Sequence, residues 1–548
     1  MKNISSSADK RAFPPKRALC AVLAIVFFAL VFCACSGNTE PPAEAEHTPS
    51  PAPAASISPV SGGLLRMAMP ENLSVGNESY DPLLVRTEES LALFSLVYEP
   101  LIAVNESGEL TPCLAAKWSR FAGDERSWLI SLRESAVFHS GERLCADDVV
   151  HSFSSLKRHG AESYYSQTLS AVASMVKVDE FTVRITMSNT GILELYALDF
   201  PIKKADGSVF NGTGPYAVTQ YSDERITLRA NENWWDRTPY ISSIEFLARE
   251  NNDTALASYS AGQLDLVPTA QLSASRFGET GVTNVVDHMT QGMETLLFNH
   301  RRHPTMDADF RRALSRAINR SPIISNIYMN RARACDVPVP PDSWLYSGGS
   351  LISHDPAAAE SLFAQLGYTK NEEGLLMNGD TPIELTLLTS GTTDNTTRSD
   401  AANVIASQLR EFGITVNVIT APHGYGEAES EFMKALSSME WDIALAGFNL
   451  SSSNDMRAYL TTEGSNNFGK FSGVVFAEEL KAIRIAEDEK SLREAFRLLE
   501  VKFTEQLPFL VLYFRLNSVV YTAKLEGITA LREPYLLRGI KNWYLSDE

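Results

Sequence analysis

Between Asp307 and Phe514 the chain alternates apolar helical stripes with short apolar strand runs, and few folds accommodate that order. Asp307 precedes Phe310, Ala313, Leu314, Ala317 and Ile318, which is the spacing of one helix face. Ser321-Pro322 and Asp355-Pro356 each place a capping residue before a proline suited to the first helical position, and Gly367 supplies a left-handed stop. Residues 383–388 read as a strand, 403–412 as a helix stopped by Gly413, and 414–419 as the next strand. A helix at 432–436 and a strand at 441–446 follow. Ser491 and Glu494 suggest a capping box ahead of Ala495, Phe496, Leu499 and Phe503, and 509–514 reads as a buried strand. Such alternation predicts an α/β layer. Earlier in the chain, 64–69, 128–132 and 182–187 read as strands and 91–98 as a helix. A further helix is expected to start near 146, with Ala146 or Asp147 at its cap.

The chain begins differently. Lys10, Arg11, Lys16 and Arg17 precede an apolar run over 18–32, which ends at Cys33-Ala34-Cys35-Ser36. A basic segment, a short apolar segment and small residues before a cut site form an export signal, too short for a comfortable span. Residues 32–35 resemble a bacterial lipobox, although Phe32 stands where Leu is usual, so Cys35 is the expected lipidated residue. Two or more acyl chains give stable anchoring. Plain secretion and a retained signal anchor are the alternatives. Residues 36–62 are dominated by Pro, Ala, Ser and Glu without an apolar period, which predicts an extended tether.

A formal charge of −19 argues against a nucleic-acid partner. Cys113, Cys145 and Cys335, the cysteines beyond Cys35, are too few and too scattered for a metal framework, and read as small apolar residues. Gly464 to Lys470 has most of a phosphate-binding loop, but Phe471 stands where a hydroxyl is required. His300 and His303 lie between arginines with no third ligand in view, and Asp147-Asp148 complements a helix start. No HExxH, GxSxG or CxxC pattern occurs, so no catalytic residue, metal or cofactor is nominated.

An ordered series of short motifs remains. Val97-Tyr98-Glu99-Pro100-Leu101 leads to Gly108, Pro112, Leu114-Ala115-Ala116 and Trp118, then to 128–133, Val137-Phe138-His139 with Gly141, and Ala146-Asp147-Asp148. Gly212-Thr213-Gly214-Pro215-Tyr216, Asn233-Trp234-Trp235, Gly262 to Asp265, Phe298-Asn299, 309–320, 359–368, Trp441-Asp442 and 538–544 complete it. Together, over 64–545, they resemble the extracellular solute-binding protein family 5, the peptide-binding receptors of ABC importers and their nickel- and sugar-binding relatives. Read physically, most of these residues are scaffold: Trp118, Trp234, Trp235 and Trp543 as core, Gly141 and Gly214 in turns, Arg133 at a strand end with its charge in solvent.

The resemblance implies a bilobal α/β fold of the periplasmic-binding-protein type. One lobe would be 63–285 with 509–548, carrying an inserted subdomain at about 101–204. The other would be 286–508, with two hinge-crossing strands between them. Ligand would be trapped in the cleft, and peptide ligands would lie extended. By the same resemblance, Arg86, Thr87 and Glu88, after Asp81-Pro82, would face the cleft, together with Tyr164. The second lobe would contribute Gly447-Phe448, where relatives have Gly-Trp, followed by Asn449, Ser451 and Ser452. Peptide binders carry an Asp just past that pair to grip the ligand's amino terminus. Here a serine run occupies that stretch, and Asp455 is the nearest acid. Asp455 or Glu88 could take over the grip, the amine could stay solvated, or the ligand is not an ordinary peptide.

The function so implied is that of a monomeric, lipid-anchored receptor on the outer membrane face, without chemistry of its own. It would deliver a small ligand, a peptide by the resemblance, to permease subunits and their cytoplasmic ATPases. A ligand sensor feeding a signalling system, or an exported hydrolase, are the rival classes.

Overall fold

The computed structural model describes residues 59–70, 80–349, 352–392, 395–423 and 430–546; the signal segment, Cys35 and residues 36–58 lie outside them. Its framework is an eleven-stranded mixed sheet with two long antiparallel strands at its centre, Thr283–Phe298 and Phe509–Thr522. The C-terminal part of Thr283–Phe298 pairs with Ile443–Asn449, which leads by parallel pairing to Glu384–Ser390 and then Thr415–Ala421. On the other side, Phe509–Thr522 pairs through its C-terminal part with Leu266–Thr269. Leu64–Ala68, Ser243–Leu247, Arg225–Ala230 and Tyr216–Tyr221 continue the sheet outward. The two long strands thus serve one half of the molecule with one end and the second half with the other, the crossing expected of a bilobal α/β fold.

The crossing is marked by a break in register. Met289 pairs with Leu516 and Met293 with Phe514, so three residues on one strand face Arg515 alone on its partner. Gly292 sits in this bulge, where a Cβ would come within 2.5 Å of the Arg515 guanidinium. The missing side chain leaves room for that guanidinium, which a Cβ would push aside.

Apolar period builds the second half. Asp307 caps Ala308–Ala317 by accepting from the Asp309 amide at 2.8 Å, and Phe310, Ala313, Leu314 and Ala317 are fully buried. Pro356–Gln365, Thr397–Glu411 and Glu431–Ser438 fall where the sequence placed helices. Three details differ. Ser321-Pro322 opens not an α-helix but a single π-type turn, Ile323–Ile327, which the chain leaves through Tyr328. The last helix, Glu489–Gln506, is capped by Asp488, with Ser491 as its reciprocal partner, while Glu494 instead pairs with Arg497 on the surface. The Asp488 carboxylate accepts from the Ser491 amide while the Asp488 amide donates back to the Ser491 hydroxyl, so Ser491 is the third residue of the box and not its first. In the first half, Ala146–His159 is capped by Cys145, whose amide donates to Asp148 at 3.0 Å.

A four-stranded antiparallel sheet, Ala115–Phe121, Asp124–Leu132, Thr182–Met187 and Val172–Asp179, stands apart from the large one. Nearby, Arg133 is not in solvent: its guanidinium lies 3.8 Å over the Trp235 ring and its Nε donates to the Cys113 carbonyl. Cys113 and Cys335 are buried, Cys145 is half-buried, and all three are free thiols.

Candidate functional site

A crevice beside the crossing strands, a cavity of about 750 Å³, is lined from both sides. Arg86, Tyr164 and the short helix Ile192–Leu198 contribute from the first half of the chain. Gln291 comes from the bulge, and the turn from Asn449 to Tyr459 from the second half. The walls touch: the Tyr164 and Ser452 hydroxyls lie 3.4 Å apart. Below them the halves are tied by backbone and ring donors. The Trp344 indole N–H donates to the Gly108 carbonyl at 2.9 Å, and the Ile192 amide to the Ala486 carbonyl at 2.7 Å.

Of the residues nominated from sequence, Arg86, Tyr164, Asn449, Ser451, Ser452 and Asp455 border this cavity. Thr87 borders a different one and caps the helix Glu88–Val97, its hydroxyl accepting from the Ser90 amide at 3.4 Å. The Glu88 side chain lies outside the described residues. Gly447 and Phe448 do not line the main cavity. Phe448 packs against Tyr459 and lies parallel to Phe468, with centroids 5.6 and 6.2 Å away, which makes it a wall support behind the turn. Gly447 is kept bare by what lies beside it: a Cβ there would meet Arg398 at 2.4 Å and Glu294 at 2.7 Å.

Asp455 already has a cationic partner within the chain, Arg457. The Arg457 Nε sits 2.9 and 2.8 Å from the two carboxylate oxygens, and its backbone amide donates to Oδ1. Two other acids, Glu194 and Asp199, were invisible to sequence reasoning. Burial pushes both carboxyls above their usual range; the Asn189 amide group (for Glu194) and the Arg538 guanidinium (for Asp199) pull the other way. Nothing in their local sequence marks them, since 192–198 has neither helical period nor alternation and reaches the cleft only by tertiary packing.

A second cavity, about 370 Å³, is lined by Glu294, Arg331, Arg398 and Arg515 among others. Arg398 grips Glu294 with two parallel bonds of 2.9 and 2.8 Å, and its Nη1 donates to Ser390. Burial alone would raise the Glu294 pKa, but the charges of Arg398 and Arg515 outweigh it and hold the carboxyl below its usual value. His300, one of the two histidines weighed above, donates through Nε2 to the Pro508 carbonyl at 2.7 Å and packs on Phe471.

A sheet shared by two halves, crossed by a pair of strands and flanked by a crevice lined from both, defines the class of two-lobed binding proteins. The sequence model described as bacterial extracellular solute-binding proteins, family 5 Middle, matches residues 109–470, and the chain belongs to this family. The oligopeptide-binding protein AppA of Bacillus subtilis (strain 168) is 22% identical over 568 aligned residues, covering 97% of this chain and 99% of AppA. The nickel-binding periplasmic protein of Escherichia coli (strain K12) is 24% identical over 361 residues, 61% of this chain and 67% of that protein. Among solved structures, the unliganded open form of MppA, a periplasmic murein tripeptide binding protein, has the same fold at a TM-score of 0.74 and 19% identity, covering 89% of this chain and 98% of that one. No helix among the described residues is long and apolar enough to cross a membrane.

Proposed function

We propose that this protein is the lipid-anchored, extracytoplasmic substrate receptor of an ABC importer, and that it captures a peptide or related small solute between its lobes. The lobes are 63–285 with 509–548, and 286–508. The observation that carries this reading is the polar cavity walled from both halves and floored by the register break of the crossing strands. Binding there rewards any motion that brings Arg86 and Tyr164 toward the turn 449–459, so occupancy favours the closed state by its differential contacts. Docking on permease subunits, release of the solute and reopening complete the cycle. The protein acts as a monomer and transforms nothing.

Native mass spectrometry of the purified protein tests this reading. A small noncovalent mass that is lost on denaturation is expected. A bare protein that also fails to narrow its ion-mobility distribution on adding peptide or sugar pools would remove it. Anchoring is tested separately: Cys35→Ala is expected to move the protein from the membrane fraction to the medium, and unchanged retention would argue for a signal anchor instead.

A further inference from the structure

Among the described residues lining the main cavity, the carboxylates are Glu194, Asp199 and Asp455, and each already has a nitrogen donor from the protein. Asp455 is the clearest. Its Oδ1 accepts from the Arg457 amide at 3.0 Å and from Nε at 2.9 Å; its Oδ2 accepts from Nε at 2.8 Å and from Nη2. An ionised carboxylate offers about four acceptor positions; three N–H groups of one residue, the Nε shared between both oxygens, take most of them. Asp199 is bound by both terminal nitrogens of Arg538, one at 2.9 Å, and Glu194 accepts from Asn189 at 2.6 Å.

We infer that Arg457 is a resident cation doing in the cleft what the ammonium group does in a bound peptide, and that the ligand is neutral, rich in hydroxyl and amide groups, and without a free amine. This rests on the reading that the main cavity is the solute site. A ligand ammonium at Asp455 would have to compete with the guanidinium for the same carboxylate oxygens and sit beside its like charge, so it gains less there than at a carboxylate without a cation. For a neutral ligand no such competition arises. Ser451, Ser453, Asn449 and Gln291 offer hydroxyls and amides that both donate and accept. Tyr164 and Tyr196 also line the cavity.

Saccharides and N-acylated peptides share this chemistry, and titration calorimetry on the full chain can separate them. The probes are a free-amine tetrapeptide library, the same library N-acetylated, and a set of neutral oligosaccharides, each titrated into wild type and Arg457→Ala. Wild type is expected to bind the acetylated library or the oligosaccharides at least about tenfold more tightly than the free-amine library. Arg457→Ala is expected to gain about tenfold for the free-amine library, and adding Asp455→Asn is expected to abolish that gain. Free-amine peptides binding wild type as tightly as their acetylated forms would overturn the inference, as would a folded Arg457→Ala variant with no gain. If Arg457→Ala fails to fold, the wild-type panel decides alone. If no probe binds, cargo retained in native mass spectra is treated with an amine-labelling reagent: labelled cargo overturns the neutral-ligand inference, and unlabelled cargo supports it. Absence of both cargo and probe binding removes the solute site itself, a distinct failure.

Discussion

Two arginine–carboxylate pairs flank the same short stretch of chain, one beneath Gly447 and one in the turn after it, and they do different work. Glu294 and Arg398 meet across more than a hundred residues, with the carboxylate 1% exposed on a central strand. Asp455 and Arg457 are two residues apart, with side chains 28% and 42% exposed. The chemistry is the same bidentate fork. What differs is solvation. A buried pair is expensive to break, because each partner is left charged in a poor solvent; a half-exposed pair can be replaced by water at little cost. The first pair therefore belongs to the scaffold, and the second is free to set what the cleft accepts.

Breaking the buried pair is the severest test. Glu294→Ala leaves Arg398 and Arg515 facing one another without the carboxylate, and is expected to cost about 3–5 kcal/mol in urea unfolding. The double variant Glu294→Leu/Arg398→Met is expected to recover much of the loss. A single-variant cost below about 1 kcal/mol would place both pairs in the same class and end the contrast. The wall between the pairs comes next. Phe448→Ala empties a half-buried ring site between Tyr459 and Phe468 and is expected to cost on the order of 2 kcal/mol. An unchanged melting temperature with ligand affinity lost would return Phe448 to the ligand-contacting role it had by resemblance.

A third carboxylate sharpens the comparison, because it is buried with neutral partners only. Glu99 accepts from the Trp234 and Trp235 indole N–H groups at 3.0–3.1 Å, with the Cys113 thiol at 3.6 Å. Burial pushes its pKa up from 4.5 to about 7, against the pull of those donors. The folded protein thus keeps a proton that the unfolded chain releases near 4.5, and stability falls as the pH rises between those values. His300 works the other way: burial and the charge of Arg311 push it down to about 4, so its contribution improves as the pH rises toward 6.5. Glu99→Gln removes only the first effect. Its stability relative to wild type is expected to rise between pH 5 and 7, by on the order of 2 kcal/mol. A difference independent of pH would mean that Glu99 ionises normally despite its burial.

These residues also mark how far the sequence carries. Periodic elements were readable: the stripe after Asp307, the stop at Gly413 and the alternation through 441–446 describe local rules that tertiary context did not overturn. Capping was readable only in kind, since Asp488 and Cys145 took places assigned to neighbours three or fewer residues away. The 321–327 segment failed because a cap and a proline permit a helix without requiring one. In the site, the turn 449–455 was reachable because one contiguous stretch carries it. Glu194, Asp199, Arg457, Gln291 and the whole second cavity were not. Each depends on which side of a twisted, bulged strand pair a residue emerges, and neither spacing nor composition encodes that.

The smallest expected effect is the one that decides what the exposed pair is for. Arg457→Ala removes a partly solvated fork whose carboxylate can turn to water, so the unfolding free energy is expected to change by less than about 1 kcal/mol. That small change should shrink further as salt is raised, because water-exposed charges are screened. A loss as large as that of Glu294→Ala, insensitive to salt, would make Arg457 a structural strut, and its place in the cavity wall would then say nothing about the guest. A small, salt-dependent loss leaves the strut role empty. An arginine that contributes little to folding, yet sits on both oxygens of the nearest acid in a crevice built for solutes, is then explained by the solutes it turns away.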